Sequence, residues 1–205
     1  MQHNPTKKAA GGNQTALQNT QTNTTKLPTI LQTKTALDAA ICLANSGISV
    51  FPFLENKIPA CSGGFKSATT DIARIKAMWS NPNAALVGVP TGVISGFDVL
   101  DIDPRNGGME WFEQNKHRLP QTRTQRTRSG GLHLFFKHQK DLRNSASKIS
   151  AGVDVRADGG CVIWWQASGY DLLDNSPMAD WSDWLLEILT YKPPLAIFKC
   201  NFTGE

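Results

Sequence analysis

Two acids one residue apart close an apolar run in this chain: Gly96-Phe97-Asp98-Val99-Leu100-Asp101-Ile102-Asp103-Pro104. On a β-strand, residues i and i+2 project from one face. Asp101 and Asp103 are therefore expected side by side near a strand end, with Leu100 and Ile102 turned into a core. Like charges so placed repel, and a cation between them relieves the repulsion. Hard divalent ions such as Mg²⁺ and Mn²⁺ prefer carboxylate oxygens. The pair taken alone also fits solvated loop acids, so other residues must decide. Asp98 lies three residues before Asp101, on the opposite face of the expected strand, and stays outside the site.

Further residues of chemical interest follow. His133 comes after Ser129-Gly130-Gly131 and sits mid-strand, with Leu132 and Leu134 facing the other way. It reads either as a hydrogen-bonded interior histidine or as a donor to a phosphate oxygen, and Gly130 and Gly131 permit close backbone approach to a ligand. In Gly152-Val153-Asp154-Val155-Arg156-Ala157-Asp158-Gly159-Gly160, the two valines face one side, and Asp154 and Arg156 the other. The loop from Glu55 to Thr70 carries Lys57, Pro59, Gly63, Gly64 and Lys66, which suit a turn near an anion or a solvated surface loop equally well. No Ser-His-Asp or Cys-His arrangement competes with these residues.

The chain has 205 residues and a net charge of +4, enough for one domain and a tail. From Lys116 to Lys148 nine cations stand against Asp141 alone, an excess twice the net charge of the whole chain. This stretch reads as a solvated basic sheet edge or, favoured by its concentration, as a track for phosphates through Arg123, Arg126, Arg128, Lys137 and Arg143. No apolar run is long enough to span a membrane, and no secretory signal is visible. Cys42, Cys61, Cys161 and Cys200 are scattered without a CxxC pair, which argues against a zinc knuckle and for a reducing, cytoplasmic setting.

These residues need elements to hold them. Residues 1–33 are polar and read as a disordered tail. Thr35 caps a helix carrying Leu37, Ala40, Ile41 and Ala44, which Gly47 ends. Ile48 to Phe53 reads as a buried strand, Asp71 to about Trp79 as a helix capped by Thr70, and Ala85 to Val89 as a strand. Gly107 and Gly108 open a helix to about His117. Two strands joined by Ser129-Gly130-Gly131 follow, then a hairpin turning at Asp158-Gly159 and returning through Cys161 to Trp165. Gly169 to Leu172 continues the sheet. In a regular strand one of Trp164 and Trp165 must face away from the core, as packing or as a base-stacking surface. Trp181, Trp184, Leu185 and Ile188 form an amphipathic helix, and 192–205 reads as a linker.

Taken in order, Asp101 and Asp103, His133 and Asp154 resemble the prim-pol domain of the archaeo-eukaryotic primase superfamily. That domain lies at the N-terminus of replication proteins of plasmids, phages and integrated elements. The resemblance spans roughly Leu37 to Trp184. It includes Lys57-Ile58-Pro59, Gly63-Gly64-Phe65-Lys66, Pro90-Thr91-Gly92, Asp101-Ile102-Asp103-Pro104, Ser129-Gly130-Gly131-Leu132-His133 and the Gly152–Gly160 segment.

The resemblance implies an α/β fold of the α+β kind over 34–191: a mixed, largely antiparallel sheet flanked by helices, a modified RRM-like catalytic core. It implies that Asp101, Asp103 and Asp154 hold catalytic Mg²⁺ or Mn²⁺. It also implies that His133, with Ser129, Gly130, Gly131, Arg156, Lys57 and Lys66 around it, binds the phosphates of an incoming NTP or dNTP. The implied activity is synthesis or extension of a primer on a single-stranded DNA template, with a helicase as a further partner. A nuclease or nicking protein on the same residues, or a non-catalytic nucleic-acid-binding module, are the alternatives. The chain departs from the pattern in three ways. Gly131 stands where the superfamily often has Ser two residues before the histidine. Trp165-Gln166-Ala167-Ser168 stands where proline and serine are usual. No zinc-binding insertion is present.

Overall fold

The computed structural model describes residues 1, 27, 28 and 35–192. The expected polar tail and C-terminal linker fall mostly outside these residues. Leu27, within the expected tail, is an exception: it is buried in the core against the first helix.

Thr35 opens helix α1 (Ala36–Asn45) as its position predicts, its hydroxyl accepting from the Asp38 amide. Strand β1 (Phe51–Phe53) follows, then helix α2 (Ile72–Met78). The α2 cap is Asp71 rather than Thr70. Its carboxylate accepts from the amides of Ala73 and Arg74, satisfying two donors where a hydroxyl could satisfy fewer. After β2 (Leu86–Pro90) and β3 (Phe97–Ile102) come α3 (Gly108–Asn115), β4 (Thr124–Arg126), β5 (Leu132–Lys137), β6 (Ser145–Ser150), β7 (Val153–Arg156), β8 (Cys161–Ile163), β9 (Leu172–Asp174) and α4 (Asp183–Thr190).

The strands form two sheets. One has the order β1-β2-β8 and the other β6-β7-β3-β5-β4-β9, with every strand pairing antiparallel. Strand β3 lies inside the larger sheet and is covered on both faces. Phe97 and Val99 pack with Phe135, Trp164, Val87, Val89 and the apolar side of α1. Leu100 and Ile102 pack on the other side with Leu134, Phe136, Val155, Trp181 and Leu185. Double coverage explains why β3 reads as a nearly continuous apolar run rather than a clean alternation.

Several details differ from the sequence expectation. Strand β8 ends at Ile163, and Trp165–Ser168 turn as a short 3-10 helix, so the strict alternation stops and both Trp164 and Trp165 are buried. In α4, Leu185 and Leu189 take the core positions, and Ile188 turns outward. Strand β6 had no sequence signature; it is a polar edge strand paired irregularly with β7. No helix among the described residues is long and apolar enough to cross a membrane.

Candidate active site

The register of the larger sheet assembles the site. Asp101 on β3 is the direct partner of Asp154 on β7 and, on its other side, of His133 on β5, and His133 in turn faces Gln125 on β4. Four polar residues thus occupy one rung, Asp154–Asp101–His133–Gln125. Direct cross-strand partners share a face, with Cβ atoms about 4.5–5.5 Å apart. On that face the rung borders the apolar Phe97, Val99 and Phe135, flanked by Arg156 on β7 and the buried Arg123 ahead of β4.

Gly131 makes this register possible. A Cβ there would stand 2.0 Å from the carbonyl oxygen of Ile102, so only glycine lets β5 begin so close to the end of β3. Gly130 takes the left-handed conformation that closes the turn, at φ +87°.

Asp103 sits one residue past the end of β3 and caps the short turn Pro104–Asn106. Its carboxylate accepts from the backbone amide and the guanidinium of Arg105. That pairing holds its carboxyl far down, at about 2. Asp101 is more enclosed. Burial alone would raise its carboxyl, but His133 and Arg156 together outweigh burial and leave it below the usual carboxylate range. His133 Nε2 lies 3.5 Å from one Asp101 oxygen, and Arg156 Nη2 lies 3.5 Å from the other. The same Arg156 nitrogen donates to Asp154 at 2.8 Å, while the second Asp154 oxygen accepts from the Ser147 amide.

Asp101, Asp103, His133, Arg156, Ser129 and Lys57 open onto a cleft of about 310 Å³ whose apolar wall includes Phe53, Ile163 and Trp165. Lys57 Nζ stands 5.1 Å over the Trp165 ring, and the Arg128 guanidinium 5.3 Å from it. Asp154, bonded to Arg156, does not line the cleft, and neither does Lys66, which is exposed on the Gly64–Ser67 turn.

The expected basic track is not continuous. Arg123 is 2 % exposed, and its guanidinium donates to the carbonyls of Leu27 and Pro28 and to Asn175 and Gln166. It is a structural tie, and burial lowers it to about 10. Arg126, Arg128 and Lys137 each face an acid, Asp171, Glu55 and Asp180 respectively. Lys137 stands at the far end of β5 from His133, opposite Phe97. Arg143 is exposed beyond that end, bridged to Asp158 through the backbone. Asp98 faces away from the rung, as strand alternation requires. It is buried against His138, Gln139 and Trp181.

Two residues of the site were missed in the sequence. Arg105 follows Asp103 by two residues across a proline, a spacing that suits a turn-capping carboxylate and its own guanidinium. Gln125 alternates with Arg123 on one strand face but carries no charge to draw notice.

The donor set suits a hard divalent ion in kind: ionised carboxylates at Asp101 and Asp103, with Asp154 next in the rung. As they stand, no three His, Cys, Asp or Glu side chains among the described residues converge on one point. Arg156 and Arg105 hold the carboxylates instead, so an ion would have to displace them. A family model described as bifunctional DNA primase/polymerase, N-terminal, matches residues 40–184. No curated protein matches the chain.

Proposed function

We propose, from the premise that this chain belongs to the bifunctional DNA primase/polymerase N-terminal (Prim-Pol) family, that the cleft beside β3 is a nucleotidyl-transfer site that makes or extends a primer. The observation that carries the reading is the rung: Asp154, Asp101 and His133 on three adjacent strands, with Asp103 one step beyond Ile102 and the cleft in front.

Nucleotide addition is an in-line displacement at phosphorus, and catalysis of it is mostly positioning and charge balance. Asp101 and Asp103, backed by Asp154, would hold Mg²⁺ or Mn²⁺, whose chemistry there is to activate the attacking hydroxyl and neutralise the triphosphate. Ionised carboxylates are what that role requires; His133 and then Arg156 favour the ionised form of Asp101, and Arg105 that of Asp103. His133 donates from Nε2 toward a phosphate oxygen, and Lys57 offers a cation across the cleft. Arg156 and Arg105 exchange a carboxylate for a phosphate as the nucleotide arrives, since a guanidinium fits both bidentately. Ser129 and the backbone at Gly130 and Gly131 border the same phosphates. Trp165, buried under Lys57, gives the cleft a rigid apolar wall rather than a free stacking platform. The substrates are a primed single-stranded DNA template and an NTP or dNTP.

The test is incorporation of labelled NTP or dNTP on a primed template with Mg²⁺ or Mn²⁺, comparing wild type with Asp101→Asn/Asp103→Asn. Loss of extension in a folded double variant supports the assignment, and retained extension refutes it. Cleavage of DNA by the wild type without nucleotides would indicate a nuclease instead.

A further inference from the structure

The outer end of the rung holds polar groups that the proposed chemistry does not use. Gln125 is fully buried, and His133 beside it is 4 % exposed. Neither amide atom of Gln125 nor Nδ1 of His133 has a hydrogen-bond partner among the described residues. These three buried polar atoms belong to direct cross-strand partners, whose Cβ atoms stand about 4.5–5.5 Å apart. His133 has Asp101 on one side and Gln125 on the other. Its Nε2 is committed to the Asp101 side at 3.5 Å, which leaves Nδ1 for the Gln125 side. Buried polar groups without partners are strongly disfavoured, and a polar gap of this kind closes by a small rotation or takes one water.

We infer that Gln125 is a positioning residue: its carboxamide bonds to His133 Nδ1, directly or through one water, and keeps the ring proton on Nε2, where it faces Asp101 and the cleft. The chemistry of the amide group carries the argument. A carboxamide has both a donor and an acceptor end. With the ring neutral, the amide NH₂ donates to the Nδ1 lone pair, so the single ring proton resides on Nε2. With the ring doubly protonated, the amide turned over accepts from Nδ1–H, and Nε2 still carries its proton. In either state Nε2–H remains a donor toward the cleft. A carboxylate at position 125 would behave differently, since it accepts only and would draw the single proton of a neutral ring to Nδ1. An apolar side chain would hold neither. Gln125 has no exposed surface and does not line the cleft, so its influence passes through His133.

The nucleotide part of this inference rests on the function proposed above; the placement of the ring proton does not. The experiment is ¹⁵N NMR of the His133 ring in the full chain, at a pH where the ring is neutral, on wild type, Gln125→Glu and Gln125→Met, with nucleotide KM and kcat measured in parallel. Wild type is expected to show the Nε2–H tautomer, and Gln125→Glu the Nδ1–H tautomer. Gln125→Met is expected to show exchange between the two, with a rise of about three- to tenfold in nucleotide KM and little change in kcat. An Nδ1–H tautomer in the wild type overturns the inference without any variant, so it stays testable if Gln125→Glu does not fold. A ring spectrum that Gln125→Met leaves unchanged also overturns it. A shifted tautomer with unchanged KM upholds the pairing and removes His133 from phosphate binding.

Discussion

Replacing Asp98 separates the penalty of burying this carboxylate from the contribution of its donors. The side chain is fully buried on the face of β3 opposite the rung. One oxygen accepts from the Gln139 amide at 2.8 Å and from Trp181 Nε1 at 3.3 Å, and the other lies 2.9 Å from His138 Nδ1. Asp98→Ala strands all three groups, each worth about 1–3 kcal/mol when a buried donor goes unsatisfied. Part of that is offset because a desolvated charge leaves as well, so the expected loss is about 3–5 kcal/mol. Asp98→Asn keeps an acceptor for Gln139 and Trp181, and its amide can donate to an Nδ1 lone pair on His138, so the expected loss is only about 1 kcal/mol.

The pH dependence has a definite sign. Burial holds the Asp98 carboxyl above its usual range despite its donors. A folded value above the unfolded one means that the native state binds the proton more tightly. The contribution of Asp98 is then fully present below the unfolded value of about 3.9 and declines as pH rises through the folded value. The stability deficit of Asp98→Asn against wild type should therefore be larger at about pH 4.5 than at about pH 7. Urea unfolding of both proteins at both pH values measures it, since the difference cancels most groups they share. A deficit that shrinks on acidification refutes the reasoning, because it means that the donors outweigh burial.

Gly131→Ala places a methyl 2.0 Å from the Ile102 carbonyl oxygen, so β3 and β5 must part where the rung lies; a loss of about 2 kcal/mol or more in chemical unfolding, with loss of nucleotide incorporation, is expected. Arg123→Met removes a buried guanidinium with four acceptors and should destabilise the fold by about 2–4 kcal/mol, while the salt dependence of DNA binding stays as in wild type; a shallower salt slope would return Arg123 to the nucleic-acid surface. Asp103 titrates at about 2 because of Arg105, so its contribution to stability is present above the unfolded value near 3.9 and is lost as pH falls toward 2. In Arg105→Gln the Asp103 midpoint should rise toward the ordinary carboxylate range in a ¹³C carboxyl titration.

Asp101, Asp103, His133 and Asp154 stood out in the sequence as residues of chemical interest, but the cross-strand adjacency of three of them did not. Asp101, His133 and Asp154 each announce a strand with a polar member beside glycines. Which of them face each other depends on register, and a one-residue slip would turn a whole strand over. Strand β3 was legible because its apolar run leaves few alternatives. Strand β6 was not, since Ser145-Ala146-Ser147-Lys148-Ile149-Ser150 has neither β-branched density nor clean alternation. Arg123 misled for a physical reason: arginine is almost never fully buried. Its partners, the carbonyls of Leu27 and Pro28, lie 96 and 95 residues away in the chain. The resemblance to the prim-pol domain, by contrast, rested on motif order, and the family match over 40–184 covers the same stretch.

The placement of β3 also bears on how the protein breathes. Paired on both edges and covered on both faces, β3 can expose its amides to hydrogen exchange only when the whole domain opens. Strand β6 is an edge strand with an irregular pairing and a left-handed Ser147, and it opens far more cheaply. Ser147 is the residue whose amide donates to Asp154. Among the described strands the Asp101 amide is therefore expected to exchange more slowly than those of β6, and Asp154, its partner in the rung, to gain a loosened neighbour each time the edge frays.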